Sequence, residues 1–99
     1  MKLRDIAHSR TGDKGDISNI SVIAYAPEHY ALLVERVTAE RVAGHFANIA
    51  AGPVRRYELP HVGALNFVLE HALGGGVTRA LRLDAHGKSL SSLMLDLEI

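Results

Sequence analysis

The chain has 99 residues, 47% of them hydrophobic, and its 11 lysines and arginines balance its 11 aspartates and glutamates. A chain of this length forms a single domain, 1–99, and buries about 60 to 65% of the surface that its unfolded form exposes. The charges balance in each half as well, six against six up to residue 50 and five against five after it. This distribution excludes the clustered basic surface of a nucleic-acid-binding protein, and the absence of cysteine excludes disulfides and thiolate metal sites.

The first ten residues, MKLRDIAHSR, lack the apolar core of a signal peptide, and no stretch approaches 18 apolar residues. We therefore expect a soluble, cytoplasmic protein that does not bind a membrane.

The first half of the chain predicts two strands followed by two helices. Residues 3–7 (LRDIA) have the pattern of a short strand, and 19–26 (NISVIAYA) that of a central strand covered on both faces. Pro27 suits the first position of a helix that extends to about Val37. Thr38 is a cap residue for a second short helix, which ends near Ala47.

The second half predicts three strands and one helix. The turn NIAAGP leads into 54–59 (VRRYEL), whose arginines indicate an exposed edge strand. Residues 62–73 (VGALNFVLEHAL) are apolar almost all round, as in a buried helix, with Gly74 as its left-handed cap. The alternating segments 77–84 and 93–99 should pair as an antiparallel hairpin.

Strands and helices alternate in the predicted order β, β, α, β, α, β, β. This order indicates an α+β fold, a two-layer sandwich of ferredoxin-like type with helices on one face of a mostly antiparallel sheet.

The segment RTGDKGDISN, 10–19, is the first candidate site. Gly12 and Gly15 bracket Asp13 and Lys14, an arrangement that favours an anion-binding nest of backbone amides. The alternative is a solvated loop held by its own salt bridges and Asx turns. A second alternative is a site for a divalent ion bound by His8 and the carboxylates of Asp13 and Asp16. A nucleotide P-loop is disfavoured because a strand, not a helix, follows the glycines.

A second glycine cluster, GGGVTRALRL, contains the other candidate cation. The period of two places Arg79 on the same strand face as Leu81 and Leu83, so its guanidinium needs a partner. That partner is either a carboxylate of the fold, from Asp13, Asp16 or Glu70, or the carboxylate or phosphate of a ligand.

Asn66 and Glu70 are four residues apart on the predicted buried helix, on one face with Gly63. They are either hydrogen-bonded within the fold or directed into a site. The histidines form no metal-binding pair and the serines have no hydrolase motif, so we predict no metal, no cofactor and no assigned catalytic residue.

Three long segments, RTGDKGDISNISVIA, YELPHVGALNFVLEHALGGGVTRALRLDAHGKSL and LMLDLEI, closely resemble the ferredoxin-fold domain at the C-terminus of AtuA-like proteins of acyclic terpene utilisation. The resemblance spans nearly the whole chain and is looser from about Glu28 to Arg55. AtuA proteins are linked to catabolism of acyclic terpenes such as citronellol and geraniol and of related branched acyl-CoA compounds. The chain lacks their large N-terminal domain, so catalysis located there is not expected.

The resemblance and the two glycine segments lead to three hypotheses. The favoured one is a non-catalytic accessory subunit that docks onto a separate AtuA-like large protein and also forms a homo-oligomer. The second is a small enzyme or binding module for an acyl-CoA or another small anionic ligand. The third is an assembly factor without a site. The residues that we predict to bind an anion or ligand are Arg10, Gly12, Asp13, Lys14, Gly15, Asp16, Asn19, Asn66, Gly74, Gly75, Gly76 and Arg79.

Overall fold

Four strands of the described residues form one antiparallel sheet. The structure is a computed structural model that describes residues 1–14, 17–47, 53–70 and 88–99. The strands are β1 (Ala7–Lys14), β2 (Ile17–Ala24), β3 (Val54–Leu59) and β4 (Ala64–Glu70). Their order across the sheet is β1-β2-β4-β3, and all neighbours are antiparallel.

In the described part of the chain, three α-helices accompany the sheet: α1 (Pro27–Arg36), α2 (Ala39–His45) and α3 (Lys88–Leu95). The predictions of the first two are confirmed. Pro27 occupies the first turn of α1, where its fixed φ fits and its missing N–H costs no hydrogen bond. Thr38 caps α2, its Oγ1 accepting a hydrogen bond from the Arg41 amide at 3.1 Å.

The connections make this a circularly permuted ferredoxin-like fold, in which the strand that usually comes last in the chain comes first. β2, the helices α1 and α2, and β3 form a split βαβ unit, because β4 lies between the two strands. The described order ββααββα becomes the ferredoxin-like β-α-β-β-α-β when α1 and α2 count as one helical layer and β1 is moved to the end. The two chain ends meet, with Leu3 N donating to Leu97 O at 2.8 Å and Ile99 N to Met1 O at 2.9 Å. The predicted fold class is confirmed.

The core lies between one face of the sheet and the helices. Alternation along β2 and β4 places Ile20 opposite Phe67 and Val22 opposite Leu65, and all four are fully buried. The helical residues packed into the same cluster are Leu33, Val37, Val42, Phe46, Leu90 and Met94. Burial of this apolar surface is the main stabilising term for the domain.

The predicted strand 3–7 is wrong. Leu3–Asp5 is a 3-10 turn, closed by the Asp5 carboxylate, which accepts a hydrogen bond from the Lys2 amide at 2.9 Å. The short acidic side chain satisfies a backbone donor locally, and this competes with strand pairing.

The predicted helix 62–73 is also wrong where the structure describes it, since Ala64–Glu70 is strand β4. β4 hydrogen-bonds to β2 on one side and β3 on the other. Leu65, Phe67 and Leu69 recur with a period of two and face the helices. A short run of apolar residues is compatible with either a buried helix or a buried strand, and here the two-sided pairing decides.

The predicted strand 93–99 is wrong as well, because α3 covers Lys88–Leu95. Leu90 and Met94 are fully buried and four residues apart, one turn of helix. Its proposed partner 77–84, the turn at 48–52 and the Gly74 cap lie outside the described residues. The strand predicted at 19–26 is central, but only one of its faces is covered by the described helices.

β3 is an edge strand, as predicted, and its two arginines have different surroundings. Arg56 crosses to α1, where its Nη1 donates to the carbonyls of Val34 at 2.8 Å and Val37 at 3.0 Å. These carbonyls belong to the C-terminal end of the helix, where a cation is favoured. Arg55 faces the opposite side and makes one ion pair, with Glu70 at 3.3 Å.

We predict that Arg56→Ala lowers the free energy of unfolding by about 2 kcal/mol, because two helix carbonyls lose a charged donor. Arg55→Ala, which removes an exposed ion pair, should cost about 0.5 kcal/mol or less. Urea denaturation of both variants measures the difference. Equal losses would show that Arg56 does not anchor the end of α1.

A set of glycine substitutions tests the backbone. Gly12 in β1 and Gly44 in α2 lie outside the left-handed region, and no described atom lies within 4 Å of an added Cβ, whereas Gly63 has a φ of +63°. Gly12→Ala and Gly44→Ala should each stabilise the fold by about 0.5 to 1 kcal/mol. Gly63→Ala should destabilise it by about 1 kcal/mol, because an L-residue is strained in the left-handed region. Thermal melts check the opposite signs, and a fall in Tm for Gly12→Ala would contradict the open space seen around it.

Candidate functional site

The face of the sheet that points away from the helices is the candidate site, and we call it the open face. It comprises the strand residues that alternate with the core positions, and no described helix packs on it. The strand positions discussed below are His8, Arg10, Gly12, Ile17, Asn19, Ser21, Asn66, Glu70, Arg55, Tyr57 and Leu59.

Three polar side chains form a hydrogen-bonded row in the middle of the open face. Ser21 Oγ donates to Asn66 Oδ1, and Asn66 Nδ2 donates to Asn19 Oδ1, both at 3.3 Å. The row joins the two central strands, since Ser21 is the register partner of Asn66. All three side chains are half-buried. The hydrogen bonds between them therefore replace some of the hydrogen bonds to water that these side chains lose on folding.

Arg10 extends this row onto β1. It is the register partner of Ser21 and is exposed. Within the described ranges its guanidinium has no ion-pair or hydrogen-bond partner, unlike the arginines at positions 4, 55 and 56. An arginine presents five N–H donors and stays charged at any physiological pH, so this one is available to an acceptor from outside.

Gly12 leaves a gap beside Arg10. It is exposed, it pairs with Asn19 across the sheet, and an added Cβ would meet no described atom within 4 Å. Arg10 lies two residues before it on the same strand face. Gly12 therefore forms the floor of a shallow notch between the side chains of Arg10 and Asn19, which we call the Gly12 notch.

Exposed apolar side chains flank the polar centre. Tyr57 is the register partner of Asn66 on the β3 side and is 47% exposed, while Leu59 and Ile17 are 42% and 40% exposed. Near the start of β1, the His8 ring stacks on Tyr25 with centroids 5.4 Å apart. Arginine and tyrosine together on an exposed surface are typical of protein interfaces.

Four of the predicted site residues, Arg10, Gly12, Asn19 and Asn66, lie together on the open face. Asn66 was predicted on a helix, but its spacing from Glu70 still places both on one face, because four residues is also an even number of strand steps.

The predicted nest at Gly12–Gly15 is wrong at its first half. Gly12, Asp13 and Lys14 continue strand β1, with Asp13 opposite Ser18 and Lys14 opposite Ile17. In an antiparallel pair of strands, the backbone N–H groups of consecutive residues point to opposite edges of their strand, so they do not converge on one anion. Gly15, Asp16, Gly74, Gly75, Gly76 and Arg79 lie outside the described residues.

Sequence reasoning missed Ser21, Arg55 and Tyr57. A strand assignment for 64–70 would have identified them, because the alternation then places Ser21 and Tyr57 beside Asn66. Glu70, predicted as a partner of Arg79, forms an ion pair with Arg55 at 3.3 Å.

A second concavity lies where β2 enters α1. It is a groove of ≈ 300 Å³ lined by residues that include Tyr25, Pro27, Tyr30, His61 and Val62. The Tyr30 hydroxyl is buried and has no hydrogen-bond partner in the described part of the chain. The lining offers no Lys, Arg, Asp or Glu side chain, so the groove is less suited than the open face to a charged partner.

Within residues 1–14, 17–47, 53–70 and 88–99, no three His, Asp or Glu side chains lie close enough to hold a metal ion. In the same ranges, no helix has the length and apolar character needed to cross a bilayer.

The comparisons with known proteins bear on the family alone. No curated protein and no solved structure matches the chain. The family model of the AtuA ferredoxin-like domain matches residues 1–99, the whole chain, in agreement with the sheet order described above. The chain therefore belongs to the AtuA ferredoxin-like domain family.

Proposed function

We propose that this domain is an accessory subunit that docks, through its open face, onto an AtuA-like large protein. The observation that carries the proposal is the composition of that face: an arginine without a described partner, a polar row and exposed Tyr57, Leu59 and Ile17 on one sheet. In an interface, the aromatic and apolar side chains can bury surface against a partner protein, while the polar centre fixes the orientation in which the partner binds.

The chemistry of the row favours docking over catalysis. The Ser21 hydroxyl donates a hydrogen bond to the amide oxygen of Asn66, and an amide cannot serve as the general base that a serine nucleophile needs. The row therefore supplies orientation and hydrogen bonds rather than proton transfer.

The proposed setting follows from the resemblance to AtuA proteins. It is the cytoplasmic catabolism of acyclic terpenes or branched acyl-CoA compounds, in which the large protein would perform the chemistry. Homo-oligomerisation is proposed as a separate property of the domain.

A second candidate function rests on Arg10. Since its guanidinium has no described acceptor, the domain could instead bind a free carboxylate or acyl-CoA directly. Thermal-shift titration with CoA esters and short carboxylic acids tests this alternative, and a shift that Arg10→Ala abolishes would favour it.

We predict that the full chain co-purifies with the AtuA-like large protein of the same organism at micromolar concentration. Tyr57→Asp should weaken the complex at least about tenfold, because it places a desolvated carboxylate where an aromatic side chain packs. Ala31→Asp is the matched control, since Ala31 is exposed on α1, in the helical layer, and should change affinity less than about twofold.

Surface plasmon resonance measures both affinities. Absence of binding by the unchanged chain, or equal effects of the two substitutions, would contradict docking through the open face.

A further inference from the structure

We propose that the Gly12 notch receives the side-chain carboxylate of an aspartate or glutamate of the docking partner, held by Arg10 and Asn19. This inference rests on the proposed docking function and specifies the partner's chemistry at one point of the interface.

The unmatched polar groups around the notch are donors. Asn19 Oδ1 already accepts a hydrogen bond from Asn66, and its Nδ2 group, which carries two N–H donors, has no acceptor among the described residues. Arg10 adds the N–H groups of an exposed guanidinium without an acceptor in the described part of the chain. A carboxylate is the protein group that accepts from both, and its pairing with arginine can be bidentate.

The notch has room for that carboxylate. No described atom lies within 4 Å of an ideal Cβ placed on Gly12, and the backbone there is an extended strand. A side chain from a partner can therefore approach the β1 backbone between Arg10 and Asn19 without displacing any described atom.

The charge of the open face argues against a second copy as the occupant. Among its described strand positions the one carboxylate is Glu70, and that group forms an ion pair with Arg55 at 3.3 Å. Two open faces brought together would place Arg10 against another cation-bearing face, with no free carboxylate to offer. Like-charge contacts of this kind disfavour association, so the open face of a second copy does not supply the acid, and we assign it to a different protein.

The test compares four variants of the full chain in binding to the AtuA-like large protein. Gly12→Val fills the notch with a residue that suits a strand, and should weaken binding about tenfold or more without lowering Tm. Arg10→Ala should weaken binding to a similar degree, and Arg10→Lys should restore part of it, since a lysine keeps the charge but loses the bidentate geometry. Gly44→Ala is the control for a stabilising glycine substitution in the helical layer, and its affinity should stay within about twofold of the unchanged chain.

Salt provides a readout that a purely steric effect would not change. Raising the salt concentration should weaken binding of the unchanged chain more than binding of Arg10→Ala, because the variant has lost the charge being screened.

The outcomes separate the two proposals. If the unchanged chain does not bind the large protein, the docking function fails. If it binds, and Gly12→Val and Arg10→Ala bind equally well while Tyr57→Asp does not, docking stands and the carboxylate notch is overturned. If millimolar acetate or glutarate shifts the NMR amide signals of Gly12 and Asn19 but leaves the affinity for the large protein unchanged, the notch takes a free acid, and the assignment to a partner's side chain is wrong.

Discussion

The pairing of β2 with β4 is the interaction on which the remainder of the structure depends. Its register places Ile20 against Phe67 and Val22 against Leu65 on one face, and Ser21 against Asn66 on the other. A slip of one residue would turn the apolar set to the outside and the polar row into the core, so the core itself fixes the register. The open face is thus specified by the same contacts that stabilise the fold, and its polar row sits on the two innermost strands.

The two edge strands of the described sheet, β3 and β1, carry different side chains. β3 carries Arg56, which reaches back to the end of α1, and Arg55, which pairs with Glu70 on β4. Charged side chains of this kind reduce edge-to-edge association. On β1 the helix-facing side holds Ser9 and Thr11, whose hydroxyls are buried and have no partner in the described part of the chain.

Sequence reasoning predicted the fold class and the elements with local signals. Pro27 and Thr38 mark helix starts through their own backbone chemistry, and both helices are present. It failed where long-range pairing decides. Residues 64–70 are a strand because β2 and β3 lie on either side of them, a fact that no local pattern contains. The residues 93–95 lie in a helix because Leu90 and Met94 have a core to face. For the site, Arg10, Gly12, Asn19 and Asn66 were identified as unusual polar or glycine positions, but their common face follows from the register of three strands.

The junction of the chain ends has a consequence for how this domain can be combined with others. Lys2 and Glu98 form a β-bridge, and the flanking backbone hydrogen bonds hold the first and last residues side by side. If the domain were inserted into another protein, the two host residues joined to its ends would need to lie only a few ångströms apart. The domain is therefore suited to insertion into a loop of a larger enzyme, as well as to tandem fusion, without disruption of its sheet.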